Sequence, residues 1–424
     1  MASTSRRILV LGGGPAGSVA AFFLGTAGFE VTVAERSTSR FAYGQGIDIT
    51  GPALDIVERM GVEQEIRANT TGEAGFAILN DDSENVAVLP VASEAAKAEE
   101  GWKSLSLTQE IEITRGKLSK ILAEAADRLP NVTYRYGCTV SELRQGEKDV
   151  TVVLSDNGKA ESFAAVIGAD GMKSRLRDMI FDPETSAKAF RPVDQCGAFF
   201  SITGTDEDFP NSRWQHATRG RSIVVRPVDE KTKKVSGYVI QTVPDEKLKA
   251  VTDGTKDEQK KALAEAFADF PGPLAPRIIE EMQKTQDFYF VQTAQIKLDK
   301  WHSGRCALVG DAAYAPSGVT GAGTLCAILG AYIIAGELAA NADDPHTAFE
   351  KYHALLKDFI TKTQQIPLGG RAPKLVNPQS SWGISILRAI FWFVAWSGVW
   401  KYANIANDSK FALPEYEMRI RESR

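Results

Sequence analysis

The stretch Arg7 to Arg36, RILVLGGGPAGSVAAFFLGTAGFEVTVAER, decides the fold. Ile8 to Leu11 is an apolar run too short for a helix, as expected of a strand buried on both faces. It breaks into Gly12-Gly13-Gly14-Pro15-Ala16-Gly17, and the small apolar residues from Ser18 to Ala27 suit a helix packed close against a sheet. Gly28 ends that helix, and Glu30 to Ala34 reads as a second strand with Glu35 at its tip. Gly12 permits the tight turn, Gly14 leaves the backbone bare for a close approach, and Gly17 lets the helix sit on the strand.

Free N–H groups at that helix start are suited to a pyrophosphate. Glu35 lies 18 residues beyond Gly17, where a carboxylate can accept hydrogen bonds from a ribose diol. Strand, glycine turn, helix, strand and terminal acid together make a dinucleotide-binding βαβ unit. No second such fingerprint occurs, so one dinucleotide is held tightly and any nicotinamide partner lacks a Rossmann domain of its own.

The 424 residues suggest two intimately packed domains. A hydrophobic share of 43% and a charged share of 24% describe an ordinary globular chain. The net charge of −5 gives no support to nucleic-acid binding. Cys138, Cys196, Cys306 and Cys326 are scattered, with neither disulfide nor metal-ligand spacing, and read as reduced thiols of a cytoplasmic protein. The apolar run at Ile8 enters the glycine turn directly, so it is a strand and not a signal-peptide core. No Ser-His-Asp order or HExxH pattern supports hydrolysis, and His302 and His353 read as surface residues.

Further along, helical spacing runs from Pro52 to Met60, strands from Gly75 to Leu89 around a polar turn, and a helix opens at Arg115 after EIEITR. Val132 to Tyr136, Thr139 to Leu143 and Val150 to Leu154 read as a β-meander. Ala164 to Gly171 is another buried strand, ending in Asp170 and a glycine. From Pro183 to Asp287 strand-like runs bracket polar loops, which indicates a second, mostly antiparallel sheet. The strand Cys306 to Val309 then leads into Gly310-Asp311, and the loop PSGVTGAG, Pro316 to Gly323, opens a helix at Thr324. This is a second helix N-terminus aimed at a ligand.

Three ordered motifs resemble those of the class A flavoprotein monooxygenases, which share the para-hydroxybenzoate hydroxylase fold. They are Gly12 to Gly17 with Glu35, the DGMKSRLR run Asp170 to Arg177, and Gly310-Asp311 with Pro316 and Gly321/Gly323. The likeness extends, less specifically, to the tetracycline-inactivating branch. It implies an α/β, Rossmann-like FAD-binding domain with an inserted antiparallel substrate sheet and C-terminal helices. Residues 1–75, 106–182 and 299–370 would form the FAD domain, 76–105 and 183–298 the substrate domain, and 371–424 the helical end.

By the same resemblance Asp311 accepts a ribityl hydroxyl, and Gly321, Gly323 and Thr324 lie by the flavin's pyrimidine edge. Asp170 serves the flavin and nicotinamide sites, Arg177 fixes its turn, Arg115 contacts FAD, and Asp48 lies near the flavin. Arg36 and Arg40 either meet the 2′-phosphate of NADPH or form a solvated basic loop beside FAD. Arg213, Trp214 and His216 fall where the family places substrate, and could equally be polar residues of an exposed strand. Three departures stand out: Tyr314 replaces a usual histidine, the usual GQGxN loop is Gly321 to Leu325, and Gly330 replaces an acid. Tyr314 is therefore read as a substrate-side residue.

The implied reaction reduces FAD with NADPH or NADH, then forms a flavin C4a-hydroperoxide from O2 to hydroxylate or epoxidise a hydrophobic organic molecule. No protein acid–base residue is required, and none is assigned. Alternatives are a same-fold halogenase, which the absence of a WxWxIP segment disfavours, a reductase, or a non-catalytic FAD-binding module. Trp382 to Trp400, WGISILRAIFWFVAWSGVW, is nearly long enough to cross a bilayer but is interrupted by Arg388. A helix packed on the FAD domain or in a homodimer contact is expected over a membrane segment, with an interfacial amphipathic helix as a further alternative, and the state over all is monomer or homodimer.

Overall fold

The computed structural model describes residues 6–38, 44–90, 111–399 and 411–418. Arg40, residues 91–105 of the expected substrate domain, and residues 400–410 and 419–424 of the expected helical end lie outside them.

Arg7–Leu11 forms the middle of a six-stranded sheet, with Ala165–Gly168 on one side and Glu30–Glu35 on the other. Cys306–Leu308 and the short His302–Ser303 extend one edge, and Val132–Tyr136 closes the other. All neighbours run parallel except His302–Ser303. Continuous apolar strands of this kind require cover on both faces. Helix Pro15–Thr26 supplies part of that cover, packed between Gly323–Ala340 and Arg115–Asp127.

Helix Gly323–Ala340 is apolar on every side because it lies in this core. It is the one helix among the described residues long and apolar enough to cross a membrane, and 72% of it is buried inside the protein.

Val132–Tyr136 is not part of a meander. It pairs in parallel with Glu30–Glu35, from Val31 opposite Val132 to Glu35 opposite Tyr136. Helix Arg115–Asp127 precedes it and packs on the first helix, which brings the chain onto the sheet edge as a crossover does. The meander is instead Val140–Gln145, Val150–Leu154 and Ala160–Phe163. Sequence spacing finds all these strands but cannot distinguish which edge each one joins.

The second sheet has seven strands, ordered Phe288–Ile296, Phe190–Thr203, Lys234–Thr242, Arg221–Asp229, Asn211–Ala217, Gly75–Leu79 and Asn85–Pro90. Only Asn211–Ala217 against Gly75–Leu79 is parallel. One face packs on helices Lys256–Ala266 and Leu274–Lys284, through Ala198, Phe200, Ile223, Val239, Phe267 and Ile278 among others. The opposite face carries Phe76, Trp214, His216, Ser222, Tyr238 and Phe199, by the alternation of strand side chains.

Helix Ser381–Ser397 lies against the outer strand Asn85–Pro90. The last described segment, Phe411 to Met418, returns to the first domain, where Tyr416 donates to Glu337 at 2.8 Å and Arg59 pairs with Glu415.

Candidate cofactor and substrate site

Sheet register brings the three sequence motifs to one place. Leu11 lies opposite Gly168, and Gly168 lies opposite Leu308, so the turns that follow are at the carboxyl ends of three adjacent strands. Ligands of open parallel sheets bind at this edge.

The first turn is built around glycine backbone. Gly12 has φ +98°, in the left-handed region, and a Cβ on it would strike the Ala169 carbonyl. A Cβ on Gly17 would overlap the Gly12 carbonyl, so the helix can approach the strand only as glycine. Gly14 differs, for nothing lies within 4 Å of its missing Cβ. No side chain caps the helix that starts at Pro15. The bare space and uncapped start together fit a phosphate group. Glu35 holds this turn, accepting from Gly13 N–H and Ser37 N–H at 2.7 Å each, with lone pairs left for a diol. Arg36 follows it and is exposed.

Asp170 caps its own short helix. Its carboxylate accepts from Ser174 Oγ at 2.6 Å, Arg175 N–H at 2.7 Å and Leu176 N–H at 3.1 Å. Burial raises its pKa, against the pull of these donors. Arg177 donates to the Met172 carbonyl at 2.8 Å and to the Ala312 carbonyl at 3.1 Å. One buried guanidinium thus ties the second turn to the third.

In the third turn Asp311 is half-buried, and no hydrogen-bond donor among the described residues reaches its carboxylate. Burial pushes its pKa up, and the Arg115 charge draws it down. Arg115 follows the strand Glu112–Thr114, whose partner Gly46–Asp48 places Asp48 opposite Glu112. Gly321 takes a left-handed φ of +67°, and neither it nor Gly323 has any atom within 4 Å of a Cβ position. The helix they open carries no side-chain cap, and Thr324 is its second residue. An unpaired carboxylate, a bare glycine loop and two uncapped helix starts fit FAD, which Gly14, Asp311 and Gly323 would hold.

The comparisons agree with this geometry. The sequence family described as FAD binding domain matches residues 6–365. Monooxygenase CTB7 of Cercospora beticola is 51% identical over 420 residues, spanning 98% of this chain and 99% of that one. The chain belongs to the class A FAD-dependent monooxygenases. FAD-dependent monooxygenase asL6 of Sarocladium schorii is 30% identical over 86% of this monooxygenase and 87% of its own length. Among solved structures, the tetracycline destructase Tet(51) superposes with a TM-score of 0.75 at 26% identity, over 97% of this chain and 99% of that chain.

On the monooxygenase's inserted sheet, the expected substrate residues separate. Trp214 and His216 share a face, with ring centroids 4.6 Å apart. Trp214 Nε1 and Ser222 Oγ are buried and find no hydrogen-bond partner among the described residues, and the buried His216 ring has only the Val376 backbone near it as a partner. Burial lowers the His216 pKa to about 3, and the Arg388 charge adds to the effect, so the ring is neutral.

Arg213 is one residue away and therefore points to the other face. It pairs with Glu207 at 3.1 Å and Asp208 at 3.4 Å, and donates to the Ser83 carbonyl at 2.9 Å. It ties loops together beneath the sheet and does not join Trp214 and His216. Tyr314 is also displaced from its expected position. Its ring is in the core against Trp301 at 4.5 Å, with its hydroxyl sharing a 3.0 Å hydrogen bond with Tyr352. His302 is buried, not exposed, in contact with the rings of His346 and His353.

Sequence reading missed an ionic cluster between the domains. Arg226 of the sheet pairs with Glu73 at 3.0 Å and Glu112 at 2.6 Å, and Tyr238 accepts from Gly46 N–H at 2.9 Å. Burial raises the Glu112 pKa to about 8 despite Arg226, with Glu73 and Asp48 adding to the rise. The four residues are scattered over 166 positions, so no local pattern announces them.

Proposed function

We propose that this monooxygenase uses NADPH or NADH and O2 to hydroxylate or epoxidise a bulky, hydrophobic, aromatic or secondary-metabolite-like molecule. The observation that carries the reading is the convergence of three glycine- and acid-bearing turns at adjacent strand ends, in a chain whose second sheet bears the unpaired Trp214 Nε1 and Ser222 Oγ. Bound in this site, FAD would supply the redox chemistry, by which a nicotinamide gives up a hydride and O2 delivers one oxygen atom to the substrate and the other to water.

The chain's own residues bind and orient. Gly14 N–H and its neighbours receive the pyrophosphate, Glu35 the ribose, and Asp311 a ribityl hydroxyl. The uncapped start of Gly323–Ala340 favours negative charge at the flavin's pyrimidine edge. Arg115 and Asp48 border that end, and Asp170 borders the nicotinamide approach. Phe76, Trp214 and Tyr238 keep water from the reacting oxygen and give a planar substrate a stacking surface. Trp214 Nε1 donates to a substrate oxygen, and neutral His216 donates or accepts beside it.

The reading is tested by recording the visible spectrum of the purified protein and following NADPH and NADH oxidation, with and without oxygen, over an aromatic and polyketide panel. A flavin spectrum with oxygen uptake raised by a multi-ring compound supports it. Turnover that persists without oxygen indicates a reductase, and small charged phenolic acids as best substrates would reject the substrate class.

A further inference from the structure

Helix Ser381–Ser397 is oriented against the ordinary rule. Its inward side carries Arg388, which reaches Asp81 at 2.6 Å, with Ile384 and Phe391, the latter 6.4 Å from Phe76. Its outward side is apolar: Trp382, Ile386, Ile390, Phe393 and Trp396 recur at spacings of three and four and form one stripe. Trp382 is 76% exposed and Trp396 71%. Ten of the fourteen exposed large hydrophobic side chains among the described residues fall between Leu368 and Val399, so the bare apolar surface is concentrated in this segment. Patches of that kind mark an interaction site.

Charge identifies the partner. From Phe359 to Asn407 the sequence has no Asp or Glu, in a chain of net charge −5. Arg388 is turned inward onto Asp81 and Lys374 pairs with Asp194 at 3.4 Å, so Lys362 and Arg371 are the cations this segment leaves without an ion pair among the described residues. Lys362 and Arg371 are exposed on the segment that carries Leu368. A second copy docked across a two-fold axis would bring this basic rim against its own like. An anionic lipid surface would complement it, and tryptophan is the residue that prefers the layer between headgroups and acyl chains.

The helix does not span. Its 17 residues reach about 25 Å, short of the ~30 Å hydrocarbon core. Its inward side is already packed on the protein.

We infer that the outer face of Ser381–Ser397, with the flanking basic segment, is a peripheral docking surface for anionic membranes, the helix lying flat in the interfacial layer. The inference is independent of the reaction proposed above.

The test uses the full-length holoenzyme with vesicles of phosphatidylcholine alone and with added phosphatidylserine, read by co-sedimentation and tryptophan emission. Four of the seven tryptophans lie within 382–400, so emission reports directly on this segment. Expected are binding that rises with anionic lipid and falls with salt, a blue-shifted emission, and a loss of partitioning of roughly tenfold or more in W382Q/W396Q. These outward positions touch neither core nor site, so the variant keeps its flavin spectrum and melting temperature. Absence of vesicle binding overturns the inference. So does a concentration-dependent dimer, seen by sedimentation velocity, that the same double variant dissolves.

Discussion

The hydroxyl of Tyr314 occupies the space that a side chain at Gly330 would need. Tyr352 shares a 3.0 Å hydrogen bond with that hydroxyl and donates to the Leu308 carbonyl at 3.0 Å, so the three residues lock helix Gly323–Ala340 to the last parallel strand. The two departures from family pattern, tyrosine for histidine and glycine for an acid, are thus one packing solution.

It follows that G330A costs about 1–3 kcal/mol by overpacking, and that Y314F, which removes the obstructing oxygen, restores part of the loss. Y314F alone costs about 1 kcal/mol or less, because Tyr352 keeps its carbonyl partner. Denaturant melts of the four proteins measure the coupling, and additive losses would show that the two positions do not meet.

Gly14 and Gly17 separate cofactor binding from folding. G14A meets no protein atom, so the apoprotein melts as the parent does while FAD affinity drops by roughly tenfold or more. G17A overlaps the Gly12 carbonyl and lowers apoprotein stability as well. Flavin titration beside thermal melts checks both, and unchanged FAD affinity in G14A would remove the pyrophosphate from this turn.

Glu112 predicts a pH dependence of stability. Its folded pKa of about 8 exceeds the ordinary 4.5, so the folded state holds a proton that the unfolded chain releases. Stability therefore declines as pH rises from about 4.5 to about 8 and then levels. E112Q imitates the protonated acid beside Arg226, Glu73, Asp48 and Tyr238, and flattens this decline. Urea melts across that range provide the measurement.

His216 has the opposite sign. Its folded pKa of about 3 is below the ordinary 6.5, so stability falls as pH drops from 6.5 toward 3. H216L removes that slope. In turnover, H216L and W214F raise KM roughly tenfold through lost substrate hydrogen bonds and leave the flavin spectrum unchanged. Unaltered KM in both would move the substrate off this face.

Much of the candidate cofactor site was legible in the sequence because its parts are local: Gly12 to Gly17, Asp170 to Arg177 and Gly310 to Gly323 each carry their own backbone signal. The substrate side was less so. A one-residue step along a strand sends Arg213 beneath the sheet and Trp214 above it, and period-two alternation does not say which face is which. Tyr314 and His302 became buried through partners far away in the chain, and Val132–Tyr136 joined a sheet edge that only the tertiary crossover determines. The cluster around Arg226 draws on four segments and had no local trace.

The most direct test of the central claim is isotope transfer from 18O2 to the product of whichever panel compound stimulates NADPH or NADH oxidation by the holoenzyme. The account predicts one labelled oxygen atom per product molecule and no turnover without oxygen. Product that forms anaerobically, or that carries no label, would contradict it.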